Sequence, residues 1–423
     1  MEQMKLNRLF TYENAKRDSY LWLVLVLLTL PQLNPGYLGQ FVLSNAIVNC
    51  LRVISSLVIL FWMFVIKRKL SVIVLVIGLQ QGYLLLRTVI AGGAIRNCML
   101  SVFAVMSFVM LYDLALEERE VFLSSQLFCF EIMIYINLVT EFLFPNSMYV
   151  PQIEQTLRVS IKYWFLGFYN SNIQYFLPAL MIAFLYGVET GKWKRTLALT
   201  MAIIISVLKV WSAGSIVTIF GMAVVYLIFK NWTKIFHYYN YWMLHLLFFV
   251  LCILFKIQIV FSKLIDAILG KWHSLELRME LWDKCLDYII MKPLFGYGIE
   301  YPIELEKRAG MDWASYTHNQ LLDIMYKGGF INLVLFIVII IIAGKNVYRY
   351  RNTVESKIIA TVFLGWCLNG LVEVPSSSPF MMGMFVIAYY SNTENGAIVP
   401  DCTTDYWKGV FHNLKGKIKR RQD

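Results

Sequence analysis

Apolar runs long enough to cross a bilayer recur along this whole chain, and no other feature of the sequence restricts the fold as strongly. A spanning helix needs roughly 17–25 such residues, somewhat fewer where it is buried among other helices. On that criterion the 423-residue sequence offers twelve spans, at about 20–33, 40–66, 70–90, 97–116, 121–143, 173–188, 196–211, 214–229, 240–260, 322–343, 356–374 and 378–391. Apolar residues make up 59% of the chain and charged residues 15%, against about 45–50% and 25% in soluble domains. This excludes a soluble globular enzyme, a disordered chain and a fibre. The runs are unbroken rather than alternating, which excludes an outer-membrane type of barrel. The expected fold is an all-α membrane protein of about twelve transmembrane helices, forming a single polytopic domain over 1–423.

The net charge of +11 sorts by side. Lys5, Arg8, Lys16 and Arg17, the run Lys67-Arg68-Lys69, Arg119, Lys192-Lys194-Arg195, Lys230 and Lys234, the group from Lys345 to Lys357, and the tail from Lys408 to Arg421 all fall in alternate connections. The positive-inside bias then puts both termini, including a basic tail at 392–423, in the cytoplasm. The two long loops, 144–172 and 261–321, fall outside. The charge is an orientation signal, so no nucleic-acid partner is expected. No cleavable leader is evident, and the first span reads as a signal anchor. The seven cysteines are scattered, with neither a disulfide framework nor metal-ligand spacing.

Charge within spans is costly, on the order of 2.5–3.5 kcal/mol per residue at the bilayer centre. Arg52 lies near the middle of the second span and Glu131 is central in the fifth. Arg87, Glu141, Lys209, Lys256 and Glu373 lie in the outer halves of theirs, with Arg96 at the outer face. The bland alternative is snorkelling for Lys256 and internal ion pairing for Glu131 and Arg52. As a group they point to an outward-facing polar cavity for an anion, and the planar fork of arginine suits a diphosphate.

The outer loop 261–321 is too long for a simple connection. Lys271–Met291 reads as an amphipathic helix closed by Pro293, with Arg278, Trp282, Cys285 and Ile289 on one face. Gly296-Tyr297-Gly298 follows as a turn whose glycines permit positive φ or close ligand approach. Thr317 with Gln320 has the form of a capping box. It would place His318 at a helix N-terminus, where the dipole lowers an imidazole's pKa and suits it to act as a general base.

These segments together resemble the O-antigen ligase and O-antigen polymerase family of bacterial envelope glycosyltransferases. The carriers are Leu277-Arg278-Met279-Glu280-Leu281-Trp282, Lys292-Pro293-Leu294-Phe295-Gly296-Tyr297-Gly298, His318-Asn319-Gln320-Leu321-Leu322 and Tyr326-Lys327-Gly328-Gly329-Phe330. The resemblance covers about 270–345. It implies a C-type glycosyltransferase fold, with no metal and no nucleotide sugar. It also implies transfer of a glycan from undecaprenyl diphosphate at the outer face of the bacterial cytoplasmic membrane, with a chain-length regulator as a further partner. It assigns the diphosphate to Arg278 and the acceptor hydroxyl to His318. Where the family often has a Ser-Arg pair at the hairpin between spans seven and eight, this chain has Trp211-Ser212-Ala213-Gly214-Ser215, with Lys209 nearby as a substitute cation.

The function so expected is inverting polymerisation of lipid-linked repeat units into an O-antigen or capsule. Arg278 and His318 are the catalytic pair. Arg52, Arg87, Arg96, Lys209, Gly296, Tyr297, Gly298, Asn319, Trp282 and Glu373 are candidates to bind diphosphate or glycan. A ligase that transfers to lipid A core or protein remains the alternative within the class. A flippase without chemistry, built on Arg52 and Glu131, is the alternative outside it.

Overall fold

A computed structural model describes residues 2–67, 69–150, 162–270, 272–394 and 397–398; most of the expected basic tail lies outside these. Helices fall on all the apolar ranges: α1 Glu2–Leu33, α2 Val42–Phe61, α3 Val72–Ala91, α4 Ile95–Ala115, α5 Arg119–Leu143, α6 Ile173–Thr190, α7 Trp193–Val210, α8 Ala213–Phe229, α9 Tyr238–Phe249, α13 Gln320–Arg349, α14 Val354–Asn369 and α15 Pro379–Tyr389. Within the outer segment 261–321 lie α10 Ser262–Leu269, α11 Trp272–Met291 and α12 Pro302–Ala309. Strand structure among the described residues is limited to two short hairpins, Tyr163–Trp164 with Gly167–Phe168 and Thr393–Glu394 with Ala397–Ile398.

Five helical stretches are long and apolar enough to cross a membrane: Val42–Lys67, Val72–Ala91, Ile95–Leu143, Tyr169–Thr190 and Gln320–Arg349. Ala213–Phe229, Tyr238–Leu254 and Pro379–Tyr389 are apolar but shorter. The protein is an all-α, multi-pass membrane protein. Helices α2, α3 and α8 present exposed Leu, Ile, Val and Phe, whereas α6, α14 and α15 are almost wholly buried. Trp242, Phe336, Phe363, Trp366 and Phe385 pack at the centre with ring centroids 5.0–6.2 Å apart. Lipid tails are as apolar as these rings, so close packing and internal polar pairing hold the helices together.

One end of the bundle is tied by ion pairs. Lys67 reaches Asp113 at 3.4 Å, Arg119 reaches Glu355 at 2.8 Å and Arg195 reaches Glu131 at 2.6 Å. Glu131 is thus internally paired, and its partner is Arg195.

At the opposite end, the start of α13 meets the end of α14, with Gln320 N donating to Gly370 O at 2.8 Å. Two boundaries here differ from the sequence expectation. Helix α14 stops at Asn369, so Glu373 sits in the turn beyond it and not within a span. The ninth span's helix ends by Leu254, leaving Lys256 at φ +51° and paired with Asp283 of α11 at 2.7 Å. That ion pair, and not snorkelling, accounts for Lys256.

Helix α13 is broken at Gly329, whose φ of 61° and ψ of −159° only glycine adopts readily. The segment from Pro293 to Gly298 lies across the break. Tyr297 N and Gly298 N donate to the carbonyls of Tyr326 and Lys327 at 2.8 and 2.7 Å, and Phe330 N donates to Pro293 O at 2.8 Å. The helix carbonyls and amide freed by the kink are thereby satisfied, as a non-helical stretch in such a protein requires. A side chain at Gly329 would overlap the Leu294 carbonyl group. The seam fixes the outer segment to the bundle.

Candidate functional site

The expected stripe on α11 is real. Trp282 and Cys285 are buried, and they pack α11 against α13 and the segment before it. Trp282 Nε1 donates to Thr317 O at 3.1 Å, so the indole is a strut under the segment 316–319 and not a sugar platform. One turn earlier, Arg278 reaches across to the turn after α14. Its Nη1 donates to Val372 O at 2.8 Å and its Nη2 to Glu373 Oε1 at 3.0 Å. Glu373 Oε2 accepts from Tyr316 OH at 2.7 Å and lies 3.8 Å from His318 Nδ1. Four side chains from three separate chain segments thus converge.

The capping box at Thr317 does not form. The N-cap of α13 is Asn319, whose side-chain oxygen accepts from Leu321 N and Leu322 N, both at 3.1 Å. Its amide also donates to Leu371 O at 3.0 Å, joining the cap to the turn that bears Glu373. Asparagine wins because its carbonyl oxygen satisfies two orphan amides at once, while Thr317 Oγ1 turns to Asn319 O. His318 therefore precedes the cap. It holds a left-handed backbone (φ +51°), a strained conformation for a histidine. His318 is only 8% exposed. Burial lowers its pKa, the Arg278 charge adds to that, and Glu373 opposes it. Burial, and not a helix dipole, is the main cause of the shift. Tyr316 lies over the imidazole with centroids 3.8 Å apart. Burial first, and then the Glu373 carboxylate, push the Tyr316 phenol up.

Arg278 and Glu373 face a cavity of about 230 Å³. Its polar wall includes Tyr169, Asn170 and Ser212; its apolar wall includes Val217 of α8, Ile265 of α10 and Leu275 of α11. The Arg278 cation beside an apolar wall suits an amphiphile with an anionic head, which would compete with Glu373 for the guanidinium. Ser212 Oγ donates to Asn170 Oδ1 at 3.0 Å, at the hairpin where the family pattern has its Ser-Arg pair. Sequence reasoning missed Tyr169 and Asn170. Their only signal was the polar run Tyr169-Asn170-Ser171-Asn172 ahead of an apolar helix. Neither His318 nor Tyr316 is part of the cavity wall, and both meet it through Glu373.

The other expected binding residues do not join this site. Arg87 spends its Nε and Nη2 on Gly296 O, at 3.1 and 2.7 Å. Gly296 and Gly298 have positive φ because they pack against α13 and α3; any side chain there would strike the backbone of Tyr326–Gly329 or of Thr88. Tyr297 is buried and stacked on Tyr326 at 5.0 Å. Arg52 lies on α2, where Gln32 of α1 donates to its carbonyl. Arg96 is exposed on α4. Lys209 is exposed, 4.6 Å over the Phe142 ring, and supplies no charge to the cavity. The expectation of many arginines around one anion reduces to Arg278 as the cation among the cavity's described lining residues.

Residues 170–337 match the family model described as O-antigen ligase. The matched stretch includes Asn170, Ser212, Arg278 and His318, and stops short of Glu373. A search among curated proteins finds none that matches the chain.

Proposed function

We propose that this chain, whose residues 170–337 match the O-antigen ligase family model, is a polysaccharide polymerase acting on lipid-diphosphate-linked repeat units. The observation that carries the reading is the cavity with Arg278 on one wall and apolar side chains from α8, α10 and α11 on another. The diphosphate of an undecaprenyl carrier occupies the charged side, with its lipid against the apolar side. The acceptor hydroxyl attacks the anomeric carbon from the opposite face. Its proton passes to His318, the bond from that carbon to the diphosphate oxygen breaks, and the new glycosidic bond forms with inversion. Arg278 stabilises the charge that develops on the departing diphosphate. The leaving group is already activated, so the reaction needs neither a metal nor a nucleotide sugar.

In this reading the chain crosses the bacterial cytoplasmic membrane twelve times with both termini inside, and the site faces outward. Polymerase is favoured over ligase because the hairpin Trp211-Ser212-Ala213-Gly214-Ser215 lacks the family's Ser-Arg pair. Of the features that a flippase would use, Glu131 is already occupied by Arg195, and Arg52 lies on α2 outside the cavity lining. The test is purified protein in nanodiscs supplied with lipid-linked oligosaccharide as both donor and acceptor. Polymerisation gives a ladder of longer lipid-linked glycans and free carrier diphosphate. An unchanged substrate, or a glycan moved only to lipid A core, overturns it.

A further inference from the structure

The contacts of Glu373 are asymmetric in a way that the transfer chemistry above does not use. Its Oε1 is held by Arg278 at 3.0 Å and its Oε2 by the Tyr316 hydroxyl at 2.7 Å. The same Oε2 stands 3.8 Å from His318 Nδ1, beyond hydrogen-bond range. That Nδ1 is buried and has no hydrogen-bond partner. A buried, unpaired ring nitrogen on a strained backbone, facing a carboxylate held back by a neighbouring arginine, is an arrangement awaiting a second state.

We propose that Glu373 is a positioning residue that reports donor binding to His318: a diphosphate that takes Arg278 releases the carboxylate, which closes on His318 Nδ1. This rests on the proposed diphosphate donor. Arginine prefers the bidentate, doubly charged partner, and the incoming diphosphate repels Glu373 from the cavity both faces share. With Tyr316 OH as a pivot, the carboxylate needs to approach the imidazole by only about 1 Å to form a hydrogen bond. Nδ1–H then donates to Glu373, which fixes the tautomer with Nε2 as the base. The base is armed when the donor is in place, so the acceptor is activated only when there is something to attack. The other groups that face His318 are Arg278 from α11, Asp323 from α13 and Tyr316 beside it. Asp323 is engaged by Lys327 at 2.7 Å. Diphosphate binding draws off Arg278, brings Glu373 onto His318 and leaves Asp323 and Tyr316 in place.

The test is a histidine titration of the full chain in nanodiscs, followed by NMR on protein labelled at its five histidines. The His318 signal is identified by its loss in H318Q, and farnesyl diphosphate is the probe. The expected result is a rise in the His318 midpoint of about one pH unit or more on adding probe, as a newly paired carboxylate produces. In E373Q the probe still binds and the rise is absent; E373D restores part of it. An unmoved midpoint in the wild type with probe bound overturns the proposal. So does an equal rise in E373Q, which would trace the effect to the probe's own charge. If the probe does not bind at all, the donor reading falls with it, whereas binding without a shift removes this proposal alone. Kinetics give a second readout: the acid limb of kcat should lie above that of kcat/KM in the wild type, and the two should coincide in E373Q.

Discussion

The outer segment supplies the arginine of two arginine–glutamate pairs, and they are built differently. Arg308 grips Glu300 with both arms, at 2.6 and 2.7 Å, shares Tyr326 OH at 2.7 Å and lies over the Tyr297 ring at 4.4 Å. Its partner is eight residues away in sequence. Arg278 gives Glu373 one contact and spends the other arm on a backbone carbonyl; that carboxylate lies 95 residues along the chain and borders a cavity. A pair bonded through both arms and packed into the seam beside the α13 break offers little to a ligand. A pair held by a single bond at a cavity wall can be exchanged for one. Charge in an outer loop is therefore not a functional signal in itself; unsaturated geometry facing open space is.

The sharpest way to break this contrast is at the cavity side. His318→Ala removes the proposed base, and transfer per folded molecule is expected to fall by about 10²–10⁴. Normal chain-length distributions in cells carrying the variant would sink the role. Arg278→Lys keeps the charge and removes the fork, and should cost about 10²–10³ in kcat if a diphosphate is stabilised in transit. Retention of rate would reduce Arg278 to a positive rim.

The pH dependence follows from the same site. Burial, with help from Arg278, holds His318 below the 6.5 of a free imidazole, against the pull of Glu373. The depressed value means the neutral base persists as pH falls to 6.5. Donor kcat/KM, which reports the free enzyme, should therefore be flat above pH 6.5 and decline only below it. Stability has the same sign: the fold's preference for neutral His318 is fully present above pH 6.5 and is lost as pH drops further. A decline beginning above pH 7 would contradict it.

Much of this architecture was legible beforehand, because bilayer physics leaves long apolar runs little choice but helix. The α11 stripe was legible for a similar reason, local periodicity; the expected capping box at Thr317 was not borne out, because Asn319 caps α13 and leaves His318 outside the helix. What the sequence did not reveal was which charges share a space. Arg87, Gly296 and Gly298 look like a ligand loop in one dimension, and they are a seam because α13 breaks at Gly329 and opens its backbone to them. Glu373 was expected inside a span, and its real partners depend on where α14 ends. Tyr169 and Asn170 enter the cavity through a contact with the α7–α8 hairpin that leaves no local pattern.

The seam side is tested at the break itself. Gly329→Ala forces a side chain into a conformation that costs about 1–3 kcal/mol before any overlap is counted. The variant should lower the thermal midpoint in detergent and the amount of protein in the membrane. Transfer per folded molecule should change much less than in Arg278→Lys. A loss of activity with unaltered stability would move the seam into the site.

Arg308→Lys is the smallest change and the closest control. Lysine keeps the positive charge but cannot hold both carboxylate oxygens, reach Tyr326 OH and lie flat on Tyr297 at once. The pair is partly screened, with the Arg308 side chain 27% exposed and that of Glu300 13%, so the loss should be about 1 kcal/mol. That loss would appear as a modest drop in thermal midpoint with kcat and donor KM unchanged. Because the substitution matches the one at Arg278, the two variants differ only in which pair loses its fork. Equal damage to catalysis at both positions would mean that the closed pair also meets the substrate, and the contrast between them would be gone.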